Sequence, residues 1–218
     1  MNKTILRYFY FLLGLFINSF GIAFITKSAL GTSQISSIPY VFSLYFTNLS
    51  FGTTTFIFNM IYILLQIMIL RKNFRPFQFL QIIANIIFSM FVDLGMFMMN
   101  WFQPETFIIR FMSLIIGCII LALGISIEVA PDVIMVPGEG IVKAISDVTH
   151  KEFGLIKVYF DVTLIVIASL CSFVFFHSLQ GVGLGTIISA ITVGKFVSMI
   201  NRHFPLIQHI RQLSIKKG

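Results

Sequence analysis

Residues 136–147 read Val-Pro-Gly-Glu-Gly-Ile-Val-Lys-Ala-Ile-Ser-Asp, and this stretch decides how the rest of the chain is interpreted. Pro137 and the two glycines beside it interrupt a regular helix. Glu139, Lys143 and Asp147 follow one another four residues apart, which places three charges along one helix face. The stretch is too short and too polar for an ordinary membrane span, yet apolar segments flank it on both sides. Short segments interrupted by Gly and Pro are typical of binding sites in membrane transporters.

The composition indicates an integral membrane protein. Hydrophobic residues make up 57% of the 218 residues and charged residues only 11%, and the mean hydropathy is +0.97. A soluble domain of this length needs a larger polar surface, so we expect one polytopic membrane domain over residues 1–218. The net charge of +7 comes from basic residues at segment ends and in the tail. That distribution favours orientation against an acidic membrane face over binding of nucleic acid.

The chain divides into eight segments and a tail. Segments 2 and 6 are short and polar, while the other six are long and apolar. Segment 1 follows Lys3 and Arg7 but lacks a clean small-residue cleavage site, which favours an uncleaved span over a signal peptide. Residues 205–218 predict a basic amphipathic helix on the membrane surface, with Lys216 and Lys217 near its end. In order, the predicted segments are 5–26, 31–46, 53–70, 77–99, 107–127, 136–147, 155–176 and 182–200.

The two halves of the chain, residues 5–99 and 106–200, contain the same order of segments. Each half has a long span, a broken polar segment, a span that opens on Phe-Gly, and a final span. The preserved order predicts an internal duplication. The matching residues are Gly14 with Gly117, Gly21 with Gly124, Phe51-Gly52 with Phe153-Gly154, Asn59 with Asp161 and, more loosely, Asn85 with Ser189.

The positive charges decide between two topologies. If segments 2 and 6 cross the membrane, there are eight spans with parallel repeats, and the basic loop at 71–75 lies on the opposite side from Lys3 and Arg7. If both segments enter the membrane and return to the same side, six spans remain, and both termini and that loop face the cytoplasm. Three spans per half then require the second half to be inverted. We therefore expect an all-α membrane protein of two inverted repeats, each with three spans and one broken helix; eight spans with parallel repeats are the alternative.

Glu139, Lys143 and Asp161 are the charged residues expected at a binding site. In the functional interpretation, Glu139 and Lys143 enter a central cavity beside the open backbone at 138–140. The alternative is an amphipathic helix on the cytoplasmic surface, with charges that are only solvated. Asp161 lies inside segment 7, where a carboxylate is a functional candidate by default, although it could instead pair with Lys157 at the interface.

Further polar residues within the segments complete the candidate site for substrate or ion. Asn59 could supply a neutral ligand or bond a neighbouring helix. Lys195 could form a salt bridge to Glu139 or to a carboxylate of segment 4 or 7, or extend to the interface. The polar groups of segment 2 could face the cavity or cap a short helix. The residues added to the site are Asn59, Asp93, Lys195, Ser33 and Gln34.

No catalytic or cofactor chemistry is expected. Glu128 and Asp132, on either side of Pro131, predict a solvated loop after segment 5. Gly181-x-Gly183-x-Gly185 lacks the preceding strand of a nucleotide site and instead favours close helix packing or a bend at the start of segment 8. No nucleophile pairs with a base, and neither the histidines nor the two cysteines have metal-ligand spacing. We therefore expect no enzyme, no metal and no cofactor.

Two motifs carry a resemblance to a known family. Lys27-Ser28-Ala29-Leu30-Gly31-Thr32-Ser33 precedes the first Phe-Gly-led span, and Gly181-Val182-Gly183-Leu184-Gly185-Thr186 follows the second. From residue 7 to residue 200 the chain resembles the YczE/YyaS/YitT family, especially its YczE-like branch. The resemblance implies a multi-pass protein of the bacterial cytoplasmic membrane, often suspected to be a transporter, with no agreed site residues to transfer. The chain departs from the family pattern at Gln34, where Pro is common, and at Gln81-Ile82.

These observations favour a small secondary transporter of an unidentified solute, with its site between the two broken helices. One alternative is a non-transporting scaffold or regulatory subunit whose basic tail and inner loops hold a partner. Another is a lipid scramblase, in which polar grooves pass lipid headgroups. The expected partners are membrane lipids and a small solute. The chain could act alone or as a homodimer, because the glycines of segments 1 and 5 suit internal packing and a dimer interface equally well.

Overall fold

The structure, a computed structural model, describes residues 3–214, with every side chain in that range except that of Ser214. Lys216 and Lys217 of the predicted tail lie outside the described residues. From residue 3 to residue 214 the chain forms helices and turns without a strand. The helices are α1 (Lys3–Lys27), α2 (Gln34–Tyr45), α3 (Phe51–Leu70), α4 (Leu80–Met98), α5 (Phe107–Val129), α6 (Pro137–Thr149), α7 (Phe153–Phe176), α8 (Leu184–His203) and α9 (Pro205–Ser214), with short 3₁₀ turns at Arg71–Asn73 and Pro76–Phe79.

Six of these helices are long and apolar enough to cross a membrane, namely α1, α3, α4, α5, α7 and α8. The short helices α2 and α6 contain 12 and 13 residues. At a rise of about 1.5 Å per residue, each is roughly 20 Å long, which is less than the ~30 Å hydrocarbon core of a bilayer. The prediction of an all-helical protein of the multi-pass membrane class is therefore confirmed.

Contacts between distant residues define the two ends of the helix bundle. At one end, called the Arg7 end, the Arg7 guanidinium donates to the carbonyl oxygens of Pro131 and Asp132 at 2.9 and 2.6 Å. At the other, called the Lys27 end, Lys27 Nζ donates to Asn100 Oδ1 at 3.3 Å. The start of α1 therefore lies beside the end of α5, and the end of α1 lies beside the end of α4.

The two short helices start inside the bundle and finish at opposite ends of it. The last residue of α2, Tyr45, stacks on Phe175 near the end of α7, with ring centroids 4.3 Å apart. The first residue of α6, Pro137, accepts a hydrogen bond of 3.2 Å from Gln66 near the end of α3. Because α2 packs on α7 and α6 packs on α3, each short helix contacts a span from the other half of the chain.

Four glycines bring α1 and α5 into backbone contact. A Cβ atom at any of them would overlap the backbone of the partner helix, so only glycine fits. Such close approach is a common way for membrane helices to gain van der Waals contact. These glycines therefore serve internal packing and not a dimer interface. The four contacts join Gly14 to Glu128, Gly21 to Leu121, Gly117 to Ile25, and Gly124 to Asn18.

The buried apolar side chains form two clusters. Helices α1, α4, α5, α8 and α9 contribute most of the first, and α2, α3, α6 and α7 form most of the second. A cavity lies between them, because its lining residues come from both groups of helices. The fold therefore consists of two packed groups of helices with a cavity between them, and α3 of the second group packs along α4 of the first.

The predicted amphipathic helix of the tail is present as α9, but its partner differs from the prediction. Ile207 and Ile210 are completely buried, and α9 packs against α1, α5 and α8. Two residues of the apolar face thus contact the bundle, while Leu206 remains 38% exposed. Amphipathicity predicts that one face of a helix is covered, and it does not predict what covers that face.

Candidate functional site

The cavity between the two clusters has a volume of about 410 Å³. Apolar side chains supply most of its wall, and the polar groups come from α1, α3, α6, α7 and the start of α2. A concave site of this size with few polar groups is typical of small-molecule binding sites. The polar and charged side chains that line it are Asn18, Ser33, Gln34, Ser36, Thr55, Asn59, Glu139, Lys157 and Asp161.

Glu139 lies in the first turn of α6, where the backbone is packed closely against other helices. A Cβ atom at Gly140 would lie 2.6 Å from the Gln66 side-chain oxygen, so glycine allows α6 to approach α3. Within residues 3–214, the Glu139 carboxyl has no hydrogen bond and no ion pair. Burial raises the pKa of this carboxyl, the positive charge of Lys157 opposes the rise, and the negative charge of Asp161 adds to it.

Lys157 and Asp161 form an ion pair within α7, with 2.7 Å between Nζ and Oδ1. Both side chains are largely covered, with 26% and 18% of their surfaces exposed. The two interpretations of Asp161 from sequence therefore hold together, since the residue pairs with Lys157 and also lines the cavity. The pair places opposite charges side by side, and Glu139 is the cavity carboxylate that forms neither an ion pair nor a hydrogen bond in the described residues.

Glu128 contradicts the prediction that it belongs to a solvated loop. It is only 2% exposed, because α5 continues to Val129 and the backbone of Glu128 contacts Gly14 of α1. Its Oε2 accepts a hydrogen bond of 2.7 Å from Asn18 Nδ2. Asn18 itself lines the cavity, so Glu128 lies directly behind the cavity wall. Sequence reasoning missed this pair, although one signal was available, a lone Asn between the two glycines of an apolar span.

Ser33 and Gln34 line the cavity from the start of α2. Gln34 Nε2 donates to Ser189 Oγ at 3.0 Å and to the Thr186 carbonyl oxygen at 3.2 Å. Ser33 occupies the N-cap position of α2, yet its hydroxyl makes no capping hydrogen bond and donates to Ser36 at 3.0 Å. The structure therefore places both side chains at the cavity, and the Ser33 hydroxyl does not cap the short helix.

The loop before α2 packs tightly on the start of α8. The Gly185 amide donates to the Leu30 carbonyl at 2.7 Å, and a Cβ atom at Gly183 would lie 2.7 Å from the same oxygen. Gly31 has a φ of 127°, a conformation that other residues rarely adopt. The Gly181–Gly185 motif therefore permits close packing, as predicted, but Gly183 and Gly185 pack against a loop and not against another helix.

Asn59 reaches the cavity and also bonds a neighbouring helix. Its Nδ2 donates to Asn85 Oδ1 at 2.8 Å, and Asn85 in turn donates to the Phe56 carbonyl at 3.1 Å. The amide is thus held in place by α4 at the edge of the site. It adds a polar group without charge to the cavity wall.

Lys143 does not lie in the central cavity with Glu139. It is exposed and pairs with Asp147, and both line a smaller groove of about 210 Å³ near the Arg7 end. Four residues advance a helix by about 6 Å along its axis, which carries Lys143 away from the cavity. For Lys143, the structure therefore matches the alternative interpretation of a solvated charge.

Asp93 and Lys195 also lie outside the cavity lining. Asp93 accepts hydrogen bonds of 2.6 Å from both the Gly52 amide and the Ser50 hydroxyl at the start of α3. Lys195 is exposed, and within the described residues it forms no ion pair with any carboxylate. Sequence shows that a charge lies within a span, whereas the rotation of the helix decides which surface it faces.

Over the described range, no three His, Cys, Asp or Glu side chains lie close enough together to hold a metal ion. The cavity itself presents one carboxylate without an ion pair, one Lys–Asp ion pair and several neutral hydrogen-bonding groups.

Comparison with known proteins places the chain in a family without an assigned function. Residues 5–202 match the sequence pattern that defines DUF6198, a family of unknown function. No curated protein and no solved structure matches the chain. The resemblance to the YczE/YyaS/YitT family stays a prediction. Because the match extends over most of its length, the chain belongs to the DUF6198 family of unknown function.

Proposed function

We propose that this protein is a small secondary transporter that moves a small, positively charged solute with an apolar part. The observation that carries this proposal is Glu139, a carboxylate in an apolar cavity with no ion pair and no hydrogen bond in the described chain. Because Lys157 and Asp161 compensate each other, the remaining charge of the cavity is that of Glu139.

An uncompensated carboxylate in such a site must bind either a proton or a cation, because burial of a lone charge is costly. On one side of the membrane a cationic amine can displace the proton from Glu139. On the other side a proton can displace the amine, which is then released. This exchange couples the movement of solute and proton through one group. The apolar wall, which includes Ile22, Phe88 and Leu121, suits the hydrocarbon part of the solute.

The contacts between α1 and α5 support inverted repeats as the basis of transport. Gly14 contacts Glu128, and Gly117, the counterpart of Gly14 in the second half, contacts Ile25. Ile25 and Glu128 are as far apart in sequence as Gly14 and Gly117. The contacts of Gly21 with Leu121 and of Gly124 with Asn18 follow the same rule. Exchanging the halves thus maps the interface onto itself, as a two-fold axis in the membrane plane does.

The distribution of basic residues supports a cytoplasmic location for the Arg7 end. The loop between α3 and α4, the start of α7 and the tail lie at this end together with Arg7. These regions carry Arg71, Lys72, Arg75 and Lys151. The positive-inside rule then places both termini in the cytoplasm of a bacterial cell.

Transport is tested with purified protein in vesicles that contain a pH-sensitive dye. A panel of primary, tertiary and quaternary amines with increasing hydrocarbon size is added outside, and proton movement is recorded. We expect flux with some panel members, and its loss in Glu139→Gln. The matched control is Asp147→Asn on the same helix, because Asp147 is exposed and should not affect flux. The proposal is wrong if folded Glu139→Gln transports like the parent, or if no amine moves protons faster than in empty vesicles.

Lipid scrambling is a second candidate, favoured by one observation. The cavity reaches α7 and α8, and these helices do not pack along each other, so polar groups lie beside an opening in the bundle. Bleaching of fluorescent lipids by a membrane-impermeant reductant measures scrambling in the same vesicles. Complete bleaching that depends on the protein favours scrambling, whereas bleaching of only the outer leaflet favours the transporter. A scaffold that binds partners through its tail is less favoured, because Ile207 and Ile210 of α9 are already covered by the chain.

A further inference from the structure

The spans α3 and α4 are held together by polar contacts along their length. At the Lys27 end, Asp93 accepts hydrogen bonds from Ser50 and from the Gly52 amide, and we name these three residues the Asp93 latch. In the middle, the Asn59 and Asn85 side chains bond at 2.8 Å. Nearer the Arg7 end, the Gln66 and Gln81 amides exchange two hydrogen bonds of 3.2 Å.

The corresponding spans of the second half, α7 and α8, are separated. They do not pack side by side, and no hydrogen bond joins them in the described residues. Residues near the start of α7, from Phe153 to Asp161, and in the middle of α8, from Ala190 to Val197, instead line the central cavity. The cavity therefore extends between α7 and α8, at the end of the bundle opposite to the Asp93 latch.

The glycines show the same difference. Gly52 at the start of α3 lies against the Ser89 backbone and the Asp93 carboxyl, with no room for a Cβ atom. Gly154 at the start of α7 and Gly194 of α8 have nothing within 4 Å of such an atom. Among the glycines of residues 3–214, these are the two that face open space. Ala190 lies one turn before Gly194 and also lines the cavity, so α8 presents small residues toward α7.

The latch has a counterpart in the second half, with charges in place of neutral groups. Glu152 is the N-cap residue of α7, as Ser50 is of α3, and each is followed by Phe-Gly. Lys195 follows Glu152 at the interval that separates Asp93 from Ser50. Both Glu152 and Lys195 are exposed, and neither has an ion-pair partner within the described chain.

We infer that the structure represents one of two alternating states, closed at the Lys27 end by the Asp93 latch and open at the Arg7 end between α7 and α8. In the other state, α7 closes onto α8 with Gly154 against the Ala190–Gly194 face and Glu152 beside Lys195, while the latch opens. Small residues permit this close approach of two membrane helices. The role of the movement in transport rests on the proposed function, whereas the movement itself is tested separately.

The test measures the approach of α7 and α8 by chemical cross-linking. In a background with Cys118→Ala and Cys171→Ala, Gly154→Cys and Gly194→Cys are introduced, and disulfide formation within one chain is followed over time. We expect slow cross-linking, and about a tenfold faster rate after Asp93→Ala opens the latch, which corresponds to ~1.4 kcal/mol of lost hydrogen bonding to a charged group. Ser50→Ala removes only one of the two hydrogen bonds, and should also raise the rate if Asp93→Ala fails to fold. Asp147→Ala is the matched control, since it removes an exposed carboxylate far from the latch.

Equal rates for the latch variants and the control, in folded protein, would overturn the inference. Cross-links between two chains would overturn it as well, because the small-residue face would then be an interface between copies. Amine flux decides the proposed function independently. Faster cross-linking without flux in any assay supports the movement and rejects the transporter, whereas flux with unchanged cross-linking supports the transporter and rejects this latch.

Discussion

The interfaces α3–α4 and α7–α8 follow the same order of segments in the two halves, yet one is closed and the other is open. Amide side chains of Asn and Gln join α3 to α4, whereas the second half carries Asp161 at the position that matches Asn59. Neutral amides can satisfy each other between two helices without a net charge. A charged carboxylate needs hydrogen-bond donors or a cation, and Asp161 pairs with Lys157 on its own helix instead of with a group on α8. The difference teaches that polar residues at matching positions can close one interface and leave the other open around charged groups.

The largest expected effect comes from leucine at the two glycines that open the Phe-Gly-led spans. Gly52→Leu places a side chain into the backbone of α4 and should destabilise the protein by roughly 3 kcal/mol or more, or prevent folding. Gly154→Leu points into open space and should change the stability by less than about 0.5 kcal/mol. Thermal unfolding of both variants in the same detergent measures the difference. Similar losses for the two would mean that α7 and α8 are packed as closely as α3 and α4.

A smaller effect is expected from the paired amides of Gln66 and Gln81. In a double-mutant cycle with leucine at both positions, we expect a coupling energy of about 0.6 to 1.7 kcal/mol, between the average and the maximum for side-chain hydrogen bonds within membranes. The control cycle combines Gln66→Leu with Ser198→Ala, an exposed residue of α8. Additive effects in the first cycle would argue that packing, and not the amide pair, holds α3 on α4.

The smallest effect is expected at Lys195. Because it is exposed and forms no ion pair in this state, Lys195→Ala should change the stability by less than about 0.5 kcal/mol. Asp93→Ala, at the aligned position of the other half, should cost about 1 to 3 kcal/mol, because it removes two hydrogen bonds to a charged group. Unfolding in detergent compares the two variants. A large loss at Lys195 would show that it already has a partner and that the second half is closed as well.

Much of the candidate site could be predicted from sequence, because a polar residue in an apolar span needs a polar environment. Glu139, Asp161, Asn59, Ser33 and Gln34 all line the central cavity. The prediction of a cavity position failed for Lys143, which lies one turn beyond Glu139, is exposed and pairs with Asp147. Charges spaced four residues apart predict that their side chains lie on one helix face. They do not predict how far along that helix the cavity extends.

Sequence reasoning misjudged the residues whose role depends on contact between distant helices. Glu128 reads as the first residue of a polar loop, and the packing of α1 against α5 buries it beside Asn18. Asp93 reads as a candidate ligand, and the approach of α3 to α4 makes it a hydrogen-bond acceptor for the start of α3. Neither contact has a local signal, because the partners lie 110 and 41 positions away in the chain.

The sequence by itself determined the membrane class, the six long helices and the two short ones, because length and hydropathy decide what can cross a lipid layer. The tertiary structure alone decided which polar groups meet in the cavity, which carboxylate lacks a partner, and which of the two similar interfaces is closed. The physical reason is that hydropathy is a property of each segment, whereas hydrogen bonds and close helix contacts depend on the rotation and depth of two segments at once.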